Sequence, residues 1–322
     1  MKILITGISG QDGIFLSKLI DKKYKNYKII GVSRNFSTTS FCKKIKFKGD
    51  FKTKEIKLLN VNLLNKEYVN KLLNDFRPDM LFNLSGPSSV YESIKNPQIE
   101  KDVVNIFNNI TDSLIANKIF CNFFQASTSE MFGLSSKKMG LDETSKFLPN
   151  SPYASGKLKN HYKVRELREK YNWNIYSGIM FNHESEYRKD EYLFMKIING
   201  AYNIKKNKQN NLILGSLDYS RDWSYAEEIV EGFFNLINYG SSYDYVLGSG
   251  THTSIGQVVD IVFTYFDLDY RDHIIINPEL LRNNDPIKIY SNPSKIYNEL
   301  GWKTKLKIED FVFKILKNLE LP

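Results

Sequence analysis

The stretch Lys2-Ile3-Leu4-Ile5-Thr6-Gly7-Ile8-Ser9-Gly10-Gln11-Asp12-Gly13, continued by Ile14-Phe15-Leu16 and Leu19-Ile20, decides the fold. Residues 2–6 are a short apolar run, which reads as a strand. Gly7, Gly10 and Gly13 follow at intervals of three, and the apolar residues beyond them fall at helical spacing. The order is strand, glycine-rich turn, helix. Glycine lets the backbone turn tightly and approach a pyrophosphate, which rests on the helix amino end, here the end carrying Gln11 and Asp12. A glycine pattern that follows a strand and opens a helix has the context a dinucleotide-binding turn requires.

Outward from this turn, strands and helices alternate. Tyr27 to Val32 reads as a second strand ending in Ser33-Arg34. An acidic residue there would hold the ribose 2′-hydroxyl of NAD, whereas Arg34 suits a 2′-phosphate, so NADP is expected with NAD as the alternative. Residues 35–54 read as a polar, basic loop. Ile56 to Val61 is a third strand, with Asn62 and Leu63 placed near an adenine ring. Lys66 to Phe76 is a helix, and Met80 to Leu84 a fourth strand. Leu84 and Ser85, at the start of Ser85-Gly86-Pro87-Ser88-Ser89, let a cofactor pass over the strand end. Lys101 to Ala116 is an amphipathic helix, and Ile119 to Phe124 a buried fifth strand leading to Thr128. A helix to about Tyr171, a strand from Trp173 to Phe181 and a helix from Phe194 to Lys205 follow. The pattern is α/β, a doubly wound parallel sheet of the Rossmann type. We expect a dinucleotide-binding domain over 1–181 with a return segment at about 217–250. A smaller, discontinuous substrate-capping region takes 182–216 and 251–322.

The chemistry centres on Ser127 to Lys157. Thr128 and Glu130 sit at the carboxyl end of the fifth strand, where open α/β sheets place their ligands. Ser151-Pro152 is a helix start, a capping hydroxyl followed by proline at the first helical position. Tyr153 and Lys157, four apart, share one face of that helix. A phenol ordinarily titrates near about 10. A nearby ammonium favours the phenolate, so the pair can take a proton from a sugar or alcohol hydroxyl. In a chain with 20 Tyr and many Lys the spacing also arises as a plain surface pair, so its weight comes from Thr128 and Glu130 before it. For Glu130 itself the plain reading is a capping or salt-bridging carboxylate.

Composition is that of a globular protein of 322 residues, long enough for one to three domains. The formal charge of +9 suits polyanionic ligands such as a phosphorylated substrate. No nucleic-acid reading motif accompanies it, and the densest basic run, Lys43 to Lys54, reads as a loop face. Cys42 and Cys121 form no Cys-x-x-Cys, and the four histidines make no metal-ligand spacing. Two reduced thiols in a cytoplasmic protein without a metal are expected. No apolar run is long enough to span a bilayer, and the amino-terminal run does not read as a signal peptide.

Taken together the motifs resemble the extended short-chain dehydrogenase/reductase superfamily and, within it, the GDP-mannose 4,6-dehydratases. The stretches that carry the resemblance are ITGISGQDG, FQASTSEMFG, NSPYASGK, IMFNHES, LGSLDYSRDWSYA, YVLGSGTHTS and NPSKIYNELGW, in the family's order from residue 3 to 302. The resemblance implies that Tyr153 is the base at the sugar C4 hydroxyl, tuned by Lys157, which also binds the nicotinamide ribose. It implies that Thr128 bonds the C4 oxygen and that Glu130 takes the C5 proton and helps the C6 hydroxyl leave. It places Asn182, Lys196, Arg221 and Arg282 at the nucleotide diphosphate, and we add Ser88 and Glu184 to the expected substrate wall. It further implies a nucleotide-sugar substrate and a homodimer or homotetramer.

The chain departs from the family pattern at four places. Ser85-Gly86-Pro87-Ser88-Ser89 stands for Ala-Ala-Gln-Ser-His, Arg34-Asn35 for paired arginines, Asn62 for Asp, and Glu186-Tyr187-Arg188 for Pro-Arg-Arg. The sugar is therefore open between mannose, a heptose and another hexose. A 4-epimerase, 4-reductase or C4 oxidase on the same scaffold is the alternative activity. A non-catalytic dinucleotide sensor is the alternative of another class. Glu130 separates the first two, because exchange of hydride and proton at one carbon needs no second base.

Overall fold

The computed structural model describes residues 1–34, 56–241, 243–281 and 285–321. In chain order come β1 (Lys2–Thr6), α1 (Gln11–Lys23), β2 (Lys28–Ser33), β3 (Ile56–Asn60), α2 (Lys66–Phe76), β4 (Met80–Asn83), α3 (Val90–Lys95), α4 (Gln98–Ala116) and β5 (Asn122–Thr128). Next are α5 (Pro152–Tyr171), β6 (Ile175–Met180), β7 (Asn182–Glu184), α6 (Leu193–Lys205), β8 (Leu212–Leu214), β9 (Ser220–Arg221), β10 (Trp223–Tyr225), α7 (Ala226–Tyr239) and β11 (Asp244–Leu247). Last are β12 (Thr253–Ser254), α8 (Ile255–Tyr265), β13 (Ile274–Ile276), β14 (Lys288–Ile289), α9 (Ser294–Leu300) and α10 (Ile308–Asn318).

Among the described residues seven strands pair in the order β11-β6-β5-β4-β1-β2-β3, all parallel. The chain winds outward from β1 to β3, then returns to the other side of β1 as β4. Connections on the two sides leave in opposite directions, which opens a crevice at the carboxyl ends of β1 and β4. Both faces of the sheet are covered, so its central strands are apolar on both sides. Ile3 and Ile5 of β1 join the cluster beneath α1 and α7, while Leu4 joins the cluster beneath α2, α4 and α5. Phe124 and Phe123 of β5 divide the same way. Phe124 stacks on Phe233 of α7 with ring centroids 4.5 Å apart. Burying one such ring stabilises the fold by about 1.5–3 kcal/mol.

The return segment reaches the sheet: β11 pairs with β6. Short strands from 182–289 make three small sheets beyond the main one, β7 with β10, β9 between β12 and β14, and β8 with β13. These lie in the stretch that includes the expected capping region.

Local signals explain most boundaries. Ser151 caps α5, its hydroxyl accepting from Ala154 N at 3.2 Å, and Pro152 opens the helix. Asn172, left-handed at φ 47°, ends it. The fifth strand departs from expectation, beginning at Asn122 and running through Thr128. Lys118 adopts φ 53° and Ile119 N bonds back to Leu114 O at 2.8 Å, so Ile119 still closes the helix, and the strand begins only after Cys121 although Ile119 and Cys121 are buried. α3 was not anticipated: it is one short turn and a half, and Tyr91 and Ile94 are exposed. The basic run Lys43 to Lys54 and Cys42 lie outside the described residues. Cys121 is a free thiol, pushed up to about 12 by burial, and so chemically quiet. Among the described residues no helix is long and apolar enough to cross a membrane, and no metal-binding group of His, Cys, Asp and Glu is present.

The glycine turn is as tight as its sequence requires. Gly7 has φ +71°, and a Cβ there would lie 2.8 Å from Leu84 O. A Cβ on Gly13 would lie 2.5 Å from the Ile8 backbone, so α1 can pack on the turn only with glycine at this position. Gly13→Ala should therefore cost about 1–3 kcal/mol or more of stability, measured by urea unfolding of the otherwise unchanged protein.

Candidate active site

A cleft of ≈ 780 Å³ opens above the carboxyl ends of the strands. It brings Gly7, Gly10, Gln11, Asp12, Gly13, Arg34, Leu63, Leu84 and Ser85 together with Thr128, Glu130, Tyr153 and Lys157. Ser88, Asn182, Glu184, Lys196 and Arg221 line the same cleft. Asn62 does not: it is exposed, and its side-chain oxygen accepts from Leu64 N at 3.1 Å in the turn before α2, which points it away from the wall that Val61 and Leu63 form. Arg282 lies outside the described residues.

The floor is a buried polar ladder across three strand ends. Thr6 Oγ1 donates to Asn83 Oδ1 at 2.7 Å, Asn83 Nδ2 to Gln125 Oε1 at 2.8 Å, and Gln125 Nε2 to Ala126 O at 2.8 Å. Ser85 Oγ also donates to Asn83 Oδ1 at 3.0 Å. Lys157 reaches the same Ala126 carbonyl, with Nζ at 3.0 Å. Its ammonium is buried and pushed down to about 8 by the loss of water around it.

Thr128, the last residue of β5, accepts from Glu130 N at 3.3 Å, and a single 3₁₀ turn, Ser129–Phe132, presents Glu130 to the cleft. Tyr153 hydrogen-bonds Thr128 from the first turn of α5. Lys157 was expected to pull this phenol below its ordinary range, but the structure shows the opposite. Burial raises Tyr153, and the neighbouring Glu130 charge adds to it, which outweighs the Thr128 hydrogen bond and the Arg188 cation. The Lys157 ammonium stands 5.8 Å from the ring centroid with its hydrogen bond directed at Ala126, so it holds the ring's surroundings more than the phenolic oxygen.

Two sequence motifs far apart lock together. Gln11 Nε2 donates to His183 O at 2.8 Å, and Ser185 Oγ donates to Gln11 Oε1 at 2.8 Å. Asp12 Oδ1 pairs with His183 Nε2 at 3.1 Å, while His183 Nδ1 meets Phe181 O at 2.7 Å. The side chains of Gln11 and Asp12 thus grip the Asn182-His183-Glu184-Ser185 segment. The backbone of their turn is what remains for a dinucleotide. That turn fits one: α1 begins on Gly10 with no side-chain cap, leaving the first N–H groups of the helix for an anion.

Arg188, Arg221 and Lys196 of the cleft already have protein partners. Glu184, buried, ion-pairs through Oε2 with Arg188 Nε at 3.1 Å, and the Arg188 guanidinium covers the Tyr192 ring at 3.8 Å. Burial pushes the Glu184 carboxyl up against the pull of Arg188 and His183. Arg221 Nη2 pairs with Asp285 at 2.8 Å, and Lys196 Nζ donates to Ile213 O at 2.8 Å. Ser88 Oγ and Tyr192 OH lie 2.6 Å apart. Arg34 is exposed at the end of β2, beside a Ser9–Ser33 hydroxyl pair at 2.5 Å. His183, Arg188, Tyr192 and Asp285 were not read from the sequence as site residues. His183 lay inside a recognised motif. Arg188 stood in a departure from the family pattern, and Tyr192 and Asp285 carried no local signal.

Burial works against charge on His183, but the Asp12 carboxylate and the hydrogen bonds to Asp12 and Phe181 win, so its pKa is raised. Asp12 is lowered: burial opposes this, and the pairing with His183 outweighs it. The pair therefore helps the fold between the ordinary carboxylate and imidazole ranges. That help fades as pH rises through the raised His183 pKa, or falls through the lowered Asp12 pKa. In Asp12→Asn burial, the largest effect, and the Arg188 cation press His183 down while the Phe181 bond holds it up, so His183 should titrate below about 6.5 instead of above it, read from its ring signals in an NMR pH series.

A sequence model of the GDP-mannose 4,6 dehydratase family matches residues 4–315. The chain is 31% identical to GDP-mannose 4,6 dehydratase 1 of Arabidopsis thaliana, over 99% of this chain and 90% of that one. The fold matches RMD from Pseudomonas aeruginosa, solved with NADPH, at a TM-score of 0.82 and 18% identity over 99% and 98% of the two chains. It also matches a dTDP-glucose 4,6-dehydratase from Streptomyces venezuelae, solved with NAD, at 0.85 and 17% over 98% and 96%. A whole-chain family match, on a Rossmann-type fold whose glycine turn, Tyr-Lys helix and Thr-Ser-Glu turn share one cleft, means that this chain belongs to the GDP-mannose 4,6 dehydratase family.

Proposed function

We propose that the protein is a nucleotide-sugar 4,6-dehydratase that removes water from GDP-mannose or a related GDP-hexose or heptose, leaving the 4-keto-6-deoxy sugar. The observation that carries this is the placing of Glu130 on the same wall as Thr128 and Tyr153, within the cleft that holds the glycine turn. NADP, with NAD as the alternative, is the fitting dinucleotide, since Arg34 stands exposed where a 2′-phosphate would lie. The glycine turn and Arg34 would hold it, and it would supply a hydride acceptor and donor beside the sugar.

The residues divide the proton work. Tyr153 takes the proton of the C4 hydroxyl, and Thr128 holds that oxygen. The C4 ketone acidifies the hydrogen on C5, which Glu130 removes. Glu130 then delivers that proton to the C6 hydroxyl, which leaves as water. As C6 is reduced, solvent returns a proton to C5 and takes the one that Tyr153 removed from the C4 hydroxyl, so the net change is the loss of one water. Tyr153 must give up its proton from a raised pKa, and the Arg188 cation favours that step; a bound oxidised nicotinamide would add its positive charge to the same effect.

In this reading 1–181, with the return segment at about 217–250, binds the dinucleotide. Residues 182–216 and 251–322 bind the substrate, with Ser88 contributing from the Rossmann side. The assembly is a homodimer or homotetramer in the cytoplasm. The test is mass spectrometry of GDP-mannose and GDP-heptose after incubation. A product lighter by one water, with no net change in cofactor absorbance, supports the reading, and stoichiometric build-up of NADPH overturns it. Glu130→Gln should reduce water loss by about 10²-fold or more. Near-normal turnover of that variant would mean an epimerase or reductase.

A further inference from the structure

Residues 185–188 form the turn between β7 and α6. Arg188 N donates to Ser185 O at 3.0 Å, and Tyr187 N to Ser185 Oγ at 3.2 Å. The turn sends Arg188 to the cleft, while Glu186 and Tyr187 are not among its lining residues. Those two are fastened behind it. Glu186 Oε2 accepts from Tyr225 OH at 3.0 Å, and Oε1 accepts from Asn318 Nδ2 at 3.0 Å. Tyr187 OH accepts from Lys18 Nζ at 2.9 Å, and its ring meets Phe15 edge-on at 5.3 Å. Tyr225 is itself buried just before α7, and Asn318 is the last residue of α10. One carboxylate therefore ties a cleft turn to both the core and the last helix. No backbone feature of the turn does this alone, since its only internal bonds run to Ser185 among the described contacts.

We propose that Glu186 is a positioning residue for Arg188: by holding the 185–188 turn to Tyr225 and Asn318, it keeps the guanidinium in the cleft where a negative group of the dinucleotide is bound. This rests on the dinucleotide reading above. Arg188 lines the same cleft as Asp12 of the glycine turn and Tyr153, and its charge is felt at both. The effect of Glu186 on binding should therefore pass through Arg188 and vanish when Arg188 is gone.

The experiment is a double-mutant cycle on NADPH affinity, read by fluorescence titration without turnover. Glu186→Ala should weaken NADPH about tenfold, and Glu186→Gln, which keeps an acceptor for Tyr225, should stay within about twofold of the parent. Arg188→Ala should weaken binding more, by about 10²-fold. Adding Glu186→Ala to Arg188→Ala should change nothing further beyond about twofold. Asn318→Ala removes one tie from an exposed helix end without touching the core, and should cost about threefold even if Glu186→Ala fails to fold. Parent-like affinity in Glu186→Ala, or in Asn318→Ala where that is the only folded variant, overturns the proposal. So does additivity of the two losses. A parent protein that binds no dinucleotide overturns the dinucleotide reading and this one with it, whereas failure to release water from a nucleotide sugar touches only the dehydratase reading.

Discussion

The site depends on the polar ladder that crosses the ends of β1, β4 and β5. Thr6, Asn83 and Gln125 are almost wholly buried, so each donor or acceptor among them must be met by another protein group. The ladder meets that need by running from strand to strand and ending on Ala126 O, where Lys157 joins it. A one-residue shift of any strand would turn a polar side chain into an apolar layer and leave its neighbour unpaired, each at a cost of about 1–3 kcal/mol. The register of the sheet and the position of the Tyr153–Lys157 helix are thus set by one network. The same parallel pairing carries Thr128 to the strand end and Glu130 to the turn after it.

Three cations of the cleft are matched by anions. Arg188 has Glu184, Arg221 has Asp285, and His183 has Asp12. Holding a buried cation unpaired would be costly, so the partners let the folded chain keep these groups ready for an anionic ligand. A diphosphate that approaches Arg221 must share it with Asp285. Specificity then comes from geometry as well as from charge, which suits a cleft that discriminates one nucleotide sugar from another.

The grip of Gln11 and Asp12 on the 182–185 segment explains why two motifs far apart in the sequence go together. Glycines at 7, 10 and 13 suffice for the turn, but the polar pair between them faces across to β7. The two walls of the cleft are joined there, and Glu186 joins the second wall to α10.

Much of this was legible along the chain. β1, the glycine turn, α1, α2 and the limits of α5 follow from apolar spacing, Ser151-Pro152 and the glycines, all signals that act within a few residues. So did the meeting of Thr128, Glu130, Tyr153 and Lys157, because strand ends and helix starts in a parallel sheet share one edge. Sequence alone misplaced the start of β5, since the left-handed Lys118 that ends the helix exit carries no local mark. It set Asn62 on the cleft wall, where a side-chain turn to Leu64 N directs it outward. It had the Tyr153 phenol lowered by Lys157, when the desolvation that raises it comes from groups distant in sequence. It could not show that Gln11, Glu184 and Arg221 already hold protein partners. Local chain chemistry determined which elements form and that Thr128, Glu130, Tyr153 and Lys157 reach one cleft. Tertiary packing alone decided the partners and protonation of those residues, because burial and Coulomb interaction depend on distances in space that no spacing along the chain encodes.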